Sequence, residues 1–426
     1  MMRDLTLFII ATSSFIYSRS YNALSETNMT TDDLLFTPFT LPCGQVIKSR
    51  LIKSAMSDSL GDGTGHPTTA QIRLYERWAE GGIAASIIGE VQGLPGYAEK
   101  PGNLVLNANS NLDKFTQLAD NAQKNDSLLW CQLGHAGALS YAPTSSPKGP
   151  SILELDGLLC EALTLNDISL TKDQFAQTTR LAEQAGFTGV QIHAAHGFLL
   201  SQFLSPLFNK REDKYGGSIE NRMRLLLETI SIVREAVGKR FPIAVKLNSS
   251  DQLEGGLSQD DALAVIGALE QTSIDLIDIS GGTYFPGAKA ASDGSGKGPY
   301  FLKFAKLARA VTSKPLMLTG GFKTKAQAQD AVQSGTVDFV GLARAVIINP
   351  SLSNDWQKGE NAEPKFPRFS HSPEGGITAW YTMRITQIGE DASINTDYDL
   401  DIEKAMDAYE LRDQARTEIW LEHFGK

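Results

Sequence analysis

Two histidines, His193 and His196, stand three positions apart directly after the short apolar run 189–192. The run is short and rich in β-branched residues, which predicts a buried strand that ends in polar side chains. Two histidines at this spacing could share one face and bind a metal ion. Because the chain has 6 histidines and no nearby carboxylate in a known ligand pattern, the sequence disfavours a metal site.

A lysine and two glycine-containing turns add further candidates. Lys246 interrupts an apolar run, where a lone buried cation would be costly unless it were paired, so we expect it to have a functional role. Gly320, Gly321, Ala343 and Arg344 follow two later apolar runs. Backbone amides at such turns bind phosphate, and a guanidinium adds charge-assisted hydrogen bonds. Taken alone, these residues predict a phosphate-bearing ligand.

Apolar runs alternate with amphipathic segments from residue 51 onward, as in βαβ units with a parallel sheet. The eight predicted strands are 51–56, 83–90, 128–134, 189–195, 242–248, 276–282, 315–321 and 339–344. The predicted helices between them are 68–80, 112–124, 174–185, 221–237, 260–271, 301–311 and 325–334. Eight alternations, with no G-x-G-x-x-G after the first strand, favour an α/β fold of the (β/α)8 TIM-barrel type over an open doubly wound sheet. Barrel active sites lie at the C-terminal ends of the strands.

Hydroxyl residues mark several helix starts. A capping box, in which a hydroxyl and a polar side chain three residues later satisfy two backbone amides, is predicted for three pairs: Thr68 with Gln71, Thr171 with Gln174, and Ser258 with Asp261. In the fourth helix one apolar face is suited to packing against a sheet; it carries Leu226, Ile230, Val233 and Val237.

Two regions depart from the alternation. Segment 140–173 is rich in proline, serine and glycine, and we expect an inserted loop after the third strand that covers the barrel mouth as a lid. Beyond residue 350, 406–424 is predicted as a helix, whereas 364–368 and 375–376 are predicted as loop. The predicted domains are 1–30, an extension for targeting or without fixed structure; 31–350, the ligand-binding barrel; and 351–426, a C-terminal extension packed on the barrel.

Composition narrows the class of protein. The 426 residues suit two average domains or one large barrel with extensions. A net charge of −10 argues against a nucleic-acid partner, and 3 cysteines are too few and scattered for a disulfide framework. The apolar run 5–17 is too short to span a bilayer but long enough for a signal-peptide core, although Asp4 is unfavourable there. We therefore expect a cytoplasmic protein without a stable membrane span, with targeting as the alternative, and a homo-oligomer is compatible with the sequence.

The stretch from Gly189 to Arg222, which includes H-A-A-H-G-F and R-E-D-K-Y-G-G-S-I-E-N-R, resembles the Old Yellow Enzyme family of FMN-dependent ene-reductases. Q-L-G-H-A-G, beginning at Gln132, is similar to a second segment of that family. The resemblance implies an FMN-binding barrel that uses NADH or NADPH as its hydride donor. It also implies a small α,β-unsaturated carbonyl compound as the substrate.

The resemblance assigns roles to individual residues. Ala55, Met56 and Ser57 correspond to the segment that lies against the isoalloxazine ring, and Gln132 to the amide that hydrogen-bonds the pyrimidine edge. Lys246 stands where many members have an arginine that stabilises negative charge on the reduced flavin. His193 and His196 correspond to the pair that donates hydrogen bonds to the substrate carbonyl, whereas His135 is expected to be structural, with its ring bonded to a backbone carbonyl. Gly320, Gly321, Ala343 and Arg344 would hold the FMN phosphate.

One position departs from the family pattern. The tyrosine that protonates the substrate α-carbon is replaced here by Phe198, which has no hydroxyl. Three alternatives remain: solvent supplies the proton, Tyr141 or Tyr284 substitutes, or the physiological reaction differs.

The leading hypothesis is an NAD(P)H-dependent FMN oxidoreductase that reduces the C=C bond of α,β-unsaturated carbonyl compounds by ping-pong hydride transfer. A flavin-dependent dehydrogenase or other variant redox reaction is the second hypothesis, because of Phe198. A barrel that binds flavin or another phosphate ligand without turnover is the third, and a metal-dependent barrel aldolase or isomerase ranks last.

Overall fold

The structure is a computed structural model that describes residues 31–425, except residues 156, 287–297, 361, 370, 372 and 393–400. The predicted N-terminal extension, 1–30, lies outside the described residues. Among those that are described, no helix is both long and apolar enough to cross a bilayer.

Eight parallel strands form a closed barrel in which each strand pairs with its two neighbours in chain order, and the last pairs with the first. They are β1 Leu51–Lys53, β2 Ala85–Gln92, β3 Leu128–Gly134, β4 Gly189–Ala194, β5 Ile243–Asn248, β6 Leu276–Ser280, β7 Leu316–Thr319 and β8 Phe339–Leu342. The (β/α)8 prediction is confirmed. Several strands end one to three residues before the predicted bounds, because the chain leaves the sheet there to line the barrel mouth.

Helices surround the barrel in the order that the sequence predicts. They are α1 Thr69–Glu80, α2 Leu112–Ala122, α3 Leu165–Gln184, α4 Arg224–Val237, α5 Gln259–Glu270, α6 Leu302–Arg309, α7 Lys325–Gln333 and α8 Arg344–Ile348. Two short helices, Leu199–Leu204 and Ile219–Arg222, lie between β4 and α4. The predicted apolar face of α4 packs inward, with Leu226, Ile230 and Val233 buried.

The helix caps were predicted with mixed success. Ser258 and Asp261 form a reciprocal capping box, as predicted. Only half of the box predicted at Thr68 is present: Thr68 accepts a hydrogen bond from the Gln71 backbone amide, but the Gln71 side chain donates to Asp58. The Thr171 prediction was wrong.

Helix α3 begins earlier than the sequence indicates, at Leu165. Its capping box is formed by Thr164 and Asp167, and Thr171 lies inside the helix, where its hydroxyl donates to the Asp167 carbonyl. The sequence contains two Thr-x-x-polar patterns seven residues apart, and the upstream one caps the helix because Ile168 already belongs to the buried face.

The inserted segment after β3 is consequently shorter than predicted. It contains three short strands, Lys148–Gly149, Leu153–Leu155 and Leu158–Ala162. Its buried Cys160 belongs to an apolar cluster with Phe208 and Phe285, which follow β4 and β6. The insertion is therefore anchored to loops at the C-terminal mouth of the barrel.

The C-terminal region is more helical than the sequence indicates. Helices α9 Leu352–Gln357, α10 Gly376–Gly389 and α11 Ile402–Phe424 follow α8, whereas 364–368 is loop, as predicted. Helix α10 was not predicted, because its glycines and β-branched residues have low helix propensity. Trp380 and Tyr381 are buried on it, and α10 packs against α1 and α11. Tertiary packing rather than propensity therefore holds this helix.

The barrel interior is divided into an apolar and a polar half. Buried apolar residues fill the N-terminal half, among them Ile52, Trp130, Leu276, Met317 and Phe339. The antiparallel strands Phe39–Thr40 and Val46–Ile47 cover that end, and the ring of Phe39 meets the ring of Phe339 edge to face at 5.0 Å. The C-terminal half carries the polar side chains, so the fold leaves that end available for chemistry.

Candidate active site

Strand register aligns the polar residues of the barrel interior. His193 on β4 is the register partner of Lys246 on β5, and Lys246 is the partner of Asp278 on β6. On the other side of β4, Gln191 is the partner of Gln132 on β3. Since alternate residues of a barrel strand point inward, these side chains form adjoining layers near the mouth.

A hydrogen-bond network crosses four of these strands and the end of β1. The Gln132 amide donates to Gln191 Oε1 at 2.8 Å, and the Gln191 amide donates to Asp278 Oδ2 at 3.0 Å. Thr319 Oγ1 donates to Asp278 Oδ1 at 2.6 Å and lies 2.8 Å from Ser54 Oγ. The orientation of the Gln132 amide is thereby fixed before any ligand binds.

Lys246 is paired rather than alone. Its Nζ lies 3.2 Å from Asp278 Oδ2, and the two side chains are 1% and 0% exposed. The sequence interpretation treated Lys246 as a lone cation and missed Asp278. A carboxylate in the middle of the apolar strand 276–280 was the available indication, since a buried charge calls for a partner.

The two predicted histidines are in contact. His193 Nε2 lies 3.3 Å from His196 Nδ1, and His196 Nε2 lies 2.8 Å from Ser280 Oγ. His196 has a positive φ of 61°, which is uncommon for a residue with a side chain. The side chain of Asn248 holds this conformation by accepting a hydrogen bond from the His196 amide at 3.0 Å.

Both histidines are neutral near pH 7. Desolvation lowers the pKa of His193 well below its ordinary value, and the charge of Lys246 lowers it further. The pKa of His196 is lowered by the same cause first and then by its neighbours His193 and Lys246. Each neutral imidazole carries one N–H and one acceptor nitrogen.

Glu90 is a residue of the site that the sequence interpretation left unassigned. Its Oε1 lies 3.0 Å from His193 Nδ1, although the contact is not aligned as a hydrogen bond, and its Oε2 accepts from Gln92 Nε2 at 3.0 Å. Burial raises the pKa of this carboxyl to about 7, while Gln92 and Lys246 oppose the rise. A glutamate at the end of a buried strand was the only indication in the sequence.

The segment predicted to lie against a flavin ring follows β1. Ala55, Met56 and Ser57 are half-buried, between the fully buried residues on either side of them. Ser57 Oγ accepts a hydrogen bond from the side-chain amide of Asn103 at 3.3 Å. This segment therefore keeps some surface accessible at the barrel mouth.

The predicted phosphate-binding residues follow β7 and β8. Gly320 and Gly321 have positive φ angles of 113° and 85°, and a Cβ at Gly321 would lie 2.4 Å from the Gly298 carbonyl oxygen. Ala343 and Arg344 are half-buried, and the Arg344 guanidinium lies 5.4 Å from the centre of the Tyr381 ring. In the part of the chain that the structure describes, no carboxylate forms a salt bridge with Arg344. A side-chain-free turn beside an unpaired cation fits a phosphate group.

His135 has a structural environment, as the sequence interpretation expected, but with a different partner. Its Nδ1 accepts a hydrogen bond from the Gly137 amide at 3.1 Å, rather than bonding a carbonyl, and its ring stacks on Tyr97 at 4.0 Å. Burial lowers the pKa of His135 to about 3.

Phe198 faces the histidines, and its ring centre lies 4.8 Å from that of His193. Of the two tyrosines considered as substitutes, Tyr284 has its ring 6.0 Å from His196 and 5.7 Å from Phe198. Tyr141 instead lines a cavity of about 490 Å³ at the C-terminal helices. Tyr284 is therefore the better placed of the two. Within the described residues, no group of three or more His, Cys, Asp or Glu side chains is arranged to hold a metal ion.

Comparison with known proteins adds to this geometry. Residues 34–363 match the model of the NADH:flavin oxidoreductase / NADH oxidase family. The chain is 32% identical over 401 residues to "NADH-dependent flavin oxidoreductase nadA" of Aspergillus parasiticus, and the match covers 88% of each chain.

Two further matches differ in coverage. The chain is 30% identical over 383 residues to "NADH-dependent flavin oxidoreductase iliE" of Neonectria sp., which covers 82% of this chain and 49% of that protein, so the chain spans about half its length. The structure of the old yellow enzyme homologue from Zymomonas mobilis superposes with a TM-score of 0.68 at 24% identity, covering 82% of this chain and 98% of that one. This likeness supports the barrel fold.

Proposed function

The chain belongs to the NADH:flavin oxidoreductase / NADH oxidase family, the family of the Old Yellow Enzymes, and is an NAD(P)H-dependent FMN oxidoreductase; from this premise we propose that it reduces the C=C bond of α,β-unsaturated carbonyl compounds. The observation that carries the proposal is the pair of neutral histidines, His193 and His196, in contact at the barrel mouth. A neutral imidazole donates one hydrogen bond: in this pair the His193 N–H can bond His196 Nδ1, which leaves the Nε2–H of His196 to polarise a substrate carbonyl oxygen.

The residues that would hold FMN fit its chemistry from end to end. Gly320, Gly321, Ala343 and Arg344 offer a turn and a cation for the phosphate, and Ala55, Met56 and Ser57 offer a partly accessible surface for the ring. Gln132 offers a fixed amide for the pyrimidine edge. When bound, FMN accepts hydride from NADH or NADPH and passes it to the substrate.

Lys246 has two requirements to meet in this role. It must remain charged although it is buried, and it must stabilise negative charge on the reduced cofactor. Asp278 satisfies the first, because an opposite charge 3.2 Å away favours the ammonium form. Lys246 can then stabilise the flavin anion with less directional geometry than an arginine.

The histidines are held in position by groups that do not react. The amide of His196 is bonded to Asn248 Oδ1, and Asn248 itself donates to Asp251 Oδ1 at 3.1 Å and to the Gly282 carbonyl at 2.8 Å. Such fixed donors lower a barrier because they need not reorganise when charge develops on the substrate oxygen.

Phe198 favours a second candidate, a redox reaction in which no carbon is protonated. Its ring fills the position beside His193 where the family resemblance implies a tyrosine. In this alternative the flavin is reduced by NAD(P)H and reoxidised by an acceptor other than an enone. Membership of a family of oxidoreductases argues against the third hypothesis, a barrel without turnover.

Anaerobic stopped-flow kinetics separate the two candidates. The purified holoenzyme is reduced with NADH or NADPH and then mixed with 2-cyclohexenone while the flavin absorbance is followed. Reoxidation by the enone supports the proposal, and reoxidation only by oxygen or ferricyanide supports the alternative. A His193→Leu variant is the matched test of the histidine pair: reduction by NAD(P)H should persist, and reoxidation by the enone should slow by about tenfold or more. Equal enone rates in the two proteins would remove the observation on which the proposal rests.

A further inference from the structure

The Glu90 side chain is directed into the site by an irregular strand. Glu90 has a positive φ of 60°, and the pairing of β2 with β3 shifts register between Ile88 and Val91. A bulge of this kind re-aims a side chain, and backbone strain in a non-glycine residue persists only where its surroundings enforce it. Gly134 makes the space, since a Cβ there would lie 2.1 Å from Glu90 Oε2. The backbone of the barrel therefore fixes the position of the buried Glu90 carboxyl.

Glu90 stands at one end of a row of four polar groups. Its Oε1 lies 3.0 Å from His193 Nδ1, His193 Nε2 lies 3.3 Å from His196 Nδ1, and His196 Nε2 lies 2.8 Å from Ser280 Oγ. Each neutral imidazole has a single N–H, so the direction of one contact sets the direction of the next. The contact of Glu90 with His193 is within reach but needs a small rotation to align as a hydrogen bond. If Glu90 is protonated and its O–H turns to Nδ1 of His193, the N–H of each histidine lies on Nε2. If Glu90 is ionised, each N–H moves to Nδ1.

We propose that Glu90 stores the proton of the reaction and supplies it to the substrate through His193 and His196. This inference rests on the proposed function, and it accounts for the absence of a tyrosine at position 198. Glu90 contacts His193 and not the substrate, so it acts through that histidine by setting the protonation and tautomers of the pair.

In the proposed reaction the hydride and the proton reach the substrate from different groups. The β-carbon of the substrate would receive a hydride, with both electrons, from the reduced flavin. His196 Nε2 releases its proton to the substrate carbonyl oxygen that it bonds, His193 Nε2 passes its proton to His196 Nδ1, and Glu90 passes its own to His193 Nδ1. The products are an enol, which exchanges protons with solvent to give the saturated carbonyl compound, and a Glu90 carboxylate. A solvent proton that enters at His196 Nε2 and moves back along the row restores both Nε2–H tautomers and the proton on Glu90.

The charged and polar groups that face Glu90 allow it to hold and release a proton near neutral pH. Burial raises the pKa of Glu90 to about 7, and Gln92 on its own strand and Lys246 on β5 oppose the rise. Glu99, from the loop after β2, is a second carboxyl of the region; desolvation and the charge of Glu90 raise its pKa to about 7. In the described residues Glu99 has no contact with either histidine, which makes it a matched control.

The test compares Glu90→Gln with Glu99→Gln in the FMN-loaded enzyme. Glu90→Gln keeps the shape of the side chain but cannot supply a proton. We expect reduction by NADH and reoxidation by ferricyanide, which needs no carbon protonation, to be unchanged in Glu99→Gln and to persist in Glu90→Gln. Reoxidation by 2-cyclohexenone should slow about 100-fold in Glu90→Gln alone, the usual scale for losing a general acid. Its dependence on pH between 6 and 8 should also disappear, and Glu90→Asp should restore part of the rate.

A second readout needs no turnover. The infrared carbonyl band of a protonated carboxyl should titrate near neutral pH in the wild-type protein and be reduced in Glu90→Gln. Imidazole ¹⁵N spectra should move from the Nε2–H to the Nδ1–H tautomer over the same pH range.

The outcomes separate this inference from the proposed function. A wild-type enzyme whose flavin is never reoxidised by enones removes the proposed function, and with it the role of Glu90 in that reaction. Enone reoxidation that is intact in Glu90→Gln, or slowed equally in Glu99→Gln, overturns the proton store while leaving the proposed function standing. A Glu90 carboxyl that is fully ionised at pH 6 overturns it as well.

Discussion

Lys246 and Asp278 form an ion pair inside the barrel, with 3.2 Å between Nζ and Oδ2 and almost no exposure of either side chain. They are register partners on adjacent strands, so the sheet itself brings the two charges together. Asp278 is further satisfied by hydrogen bonds from Gln191 and Thr319. A buried pair needs such additional bonds, because desolvation of two charges can exceed their mutual attraction.

Removal of one member of this pair should destabilise the protein strongly. We expect Lys246→Met to lower the free energy of unfolding by about 3–5 kcal/mol, because it leaves the Asp278 carboxylate buried and uncompensated. Urea denaturation at pH 7 measures the change. Lys114→Met is the control: Lys114 pairs with Asp62 at 3.1 Å but is 44% exposed, and its removal should cost about 0–1 kcal/mol. Equal costs for the two substitutions would contradict a buried charge pair.

Arg344 should contribute to binding through the phosphate group of FMN. Loss of a charge-assisted hydrogen bond costs about 1.5–3 kcal/mol, so Arg344→Met should weaken FMN binding roughly 10- to 100-fold. Riboflavin has the same ring without the phosphate, and its affinity should not change. Fluorescence titration of the flavin-free protein with both ligands measures the difference.

A control for this prediction is Lys323→Met, an exposed cation in the same loop region. Its affinity for FMN should remain within about twofold of wild type. An equal loss of FMN and riboflavin affinity in Arg344→Met would show that Arg344 supports the fold of the site and does not bind phosphate.

The sequence predicts the barrel well, because its strands are short apolar runs at regular spacing, and the candidate ligand-binding residues follow from the geometry of strand ends. It places His193, Lys246 and Gln132 at those ends, and the structure brings them to the same half of the barrel. The roles that the resemblance implies for them remain predictions.

Three features could not be predicted from the sequence, for physical reasons. Glu90 faces His193 because of a strained backbone and a register shift, and neither leaves a pattern in one sequence. The partner of Lys246 is 32 positions away, at Asp278, and only the register of two strands pairs them. Helix α10 was likewise missed, because packing against α1 and α11 overrides its low propensity.

The Glu90 carboxyl should make stability depend on pH below neutrality. Its pKa is about 7 in the folded protein and about 4.5 in an unfolded chain, so the folded state binds more protons between these values. The stabilisation is fully present below pH 4.5 and is lost as the pH rises to 7. As the pH is raised from 5 to 8, the free energy of unfolding of Glu90→Gln should increase relative to that of wild type by on the order of 2–3 kcal/mol. Urea denaturation at both pH values gives this difference, and exposed Glu254→Gln should show none.

Lys53 should produce the opposite dependence in a higher pH range. It is fully buried, where Nζ donates to the Ile87 carbonyl at 2.9 Å and lies 4.6 Å from the centre of the Trp78 ring. Burial lowers its pKa to about 7 from 10.5, so the unfolded chain binds more protons between these values. The stabilisation is present above pH 10.5 and is lost as the pH falls to 7.

The difference in free energy of unfolding between Lys53→Met and wild type should therefore favour the variant more at pH 7 than at pH 9. Compared with wild type, the variant should lose on the order of 2 kcal/mol of relative stability when the pH is raised from 7 to 9. Thermal or urea unfolding at both pH values measures the change. Lys239→Met, at an exposed position, is the control and should show no dependence on pH in this range. If the difference in free energy of unfolding between Lys53→Met and wild type does not change with pH, Lys53 stays charged in the folded protein.

Phe198→Tyr should accelerate the reoxidation of the reduced flavin by an enone. The Phe198 ring is buried against His193, so the substitution adds a hydroxyl at the edge of the histidine pair. A general acid in contact with the reacting carbon contributes about 10²- to 10⁴-fold, and we expect a gain of at least tenfold because the wild type already has a slower proton source. Anaerobic stopped-flow mixing with 2-cyclohexenone measures it.

Phe198→Leu is the control, since it removes the ring without adding a hydroxyl, and its enone rate should not exceed that of wild type. Reduction by NADH should be similar in all three proteins. The Phe198→Tyr substitution should also restore enone turnover to Glu90→Gln, because it supplies a proton that no longer passes through His193. If Phe198→Tyr alone is faster than wild type but the double variant stays as slow as Glu90→Gln, the defect in Glu90→Gln does not lie in protonation.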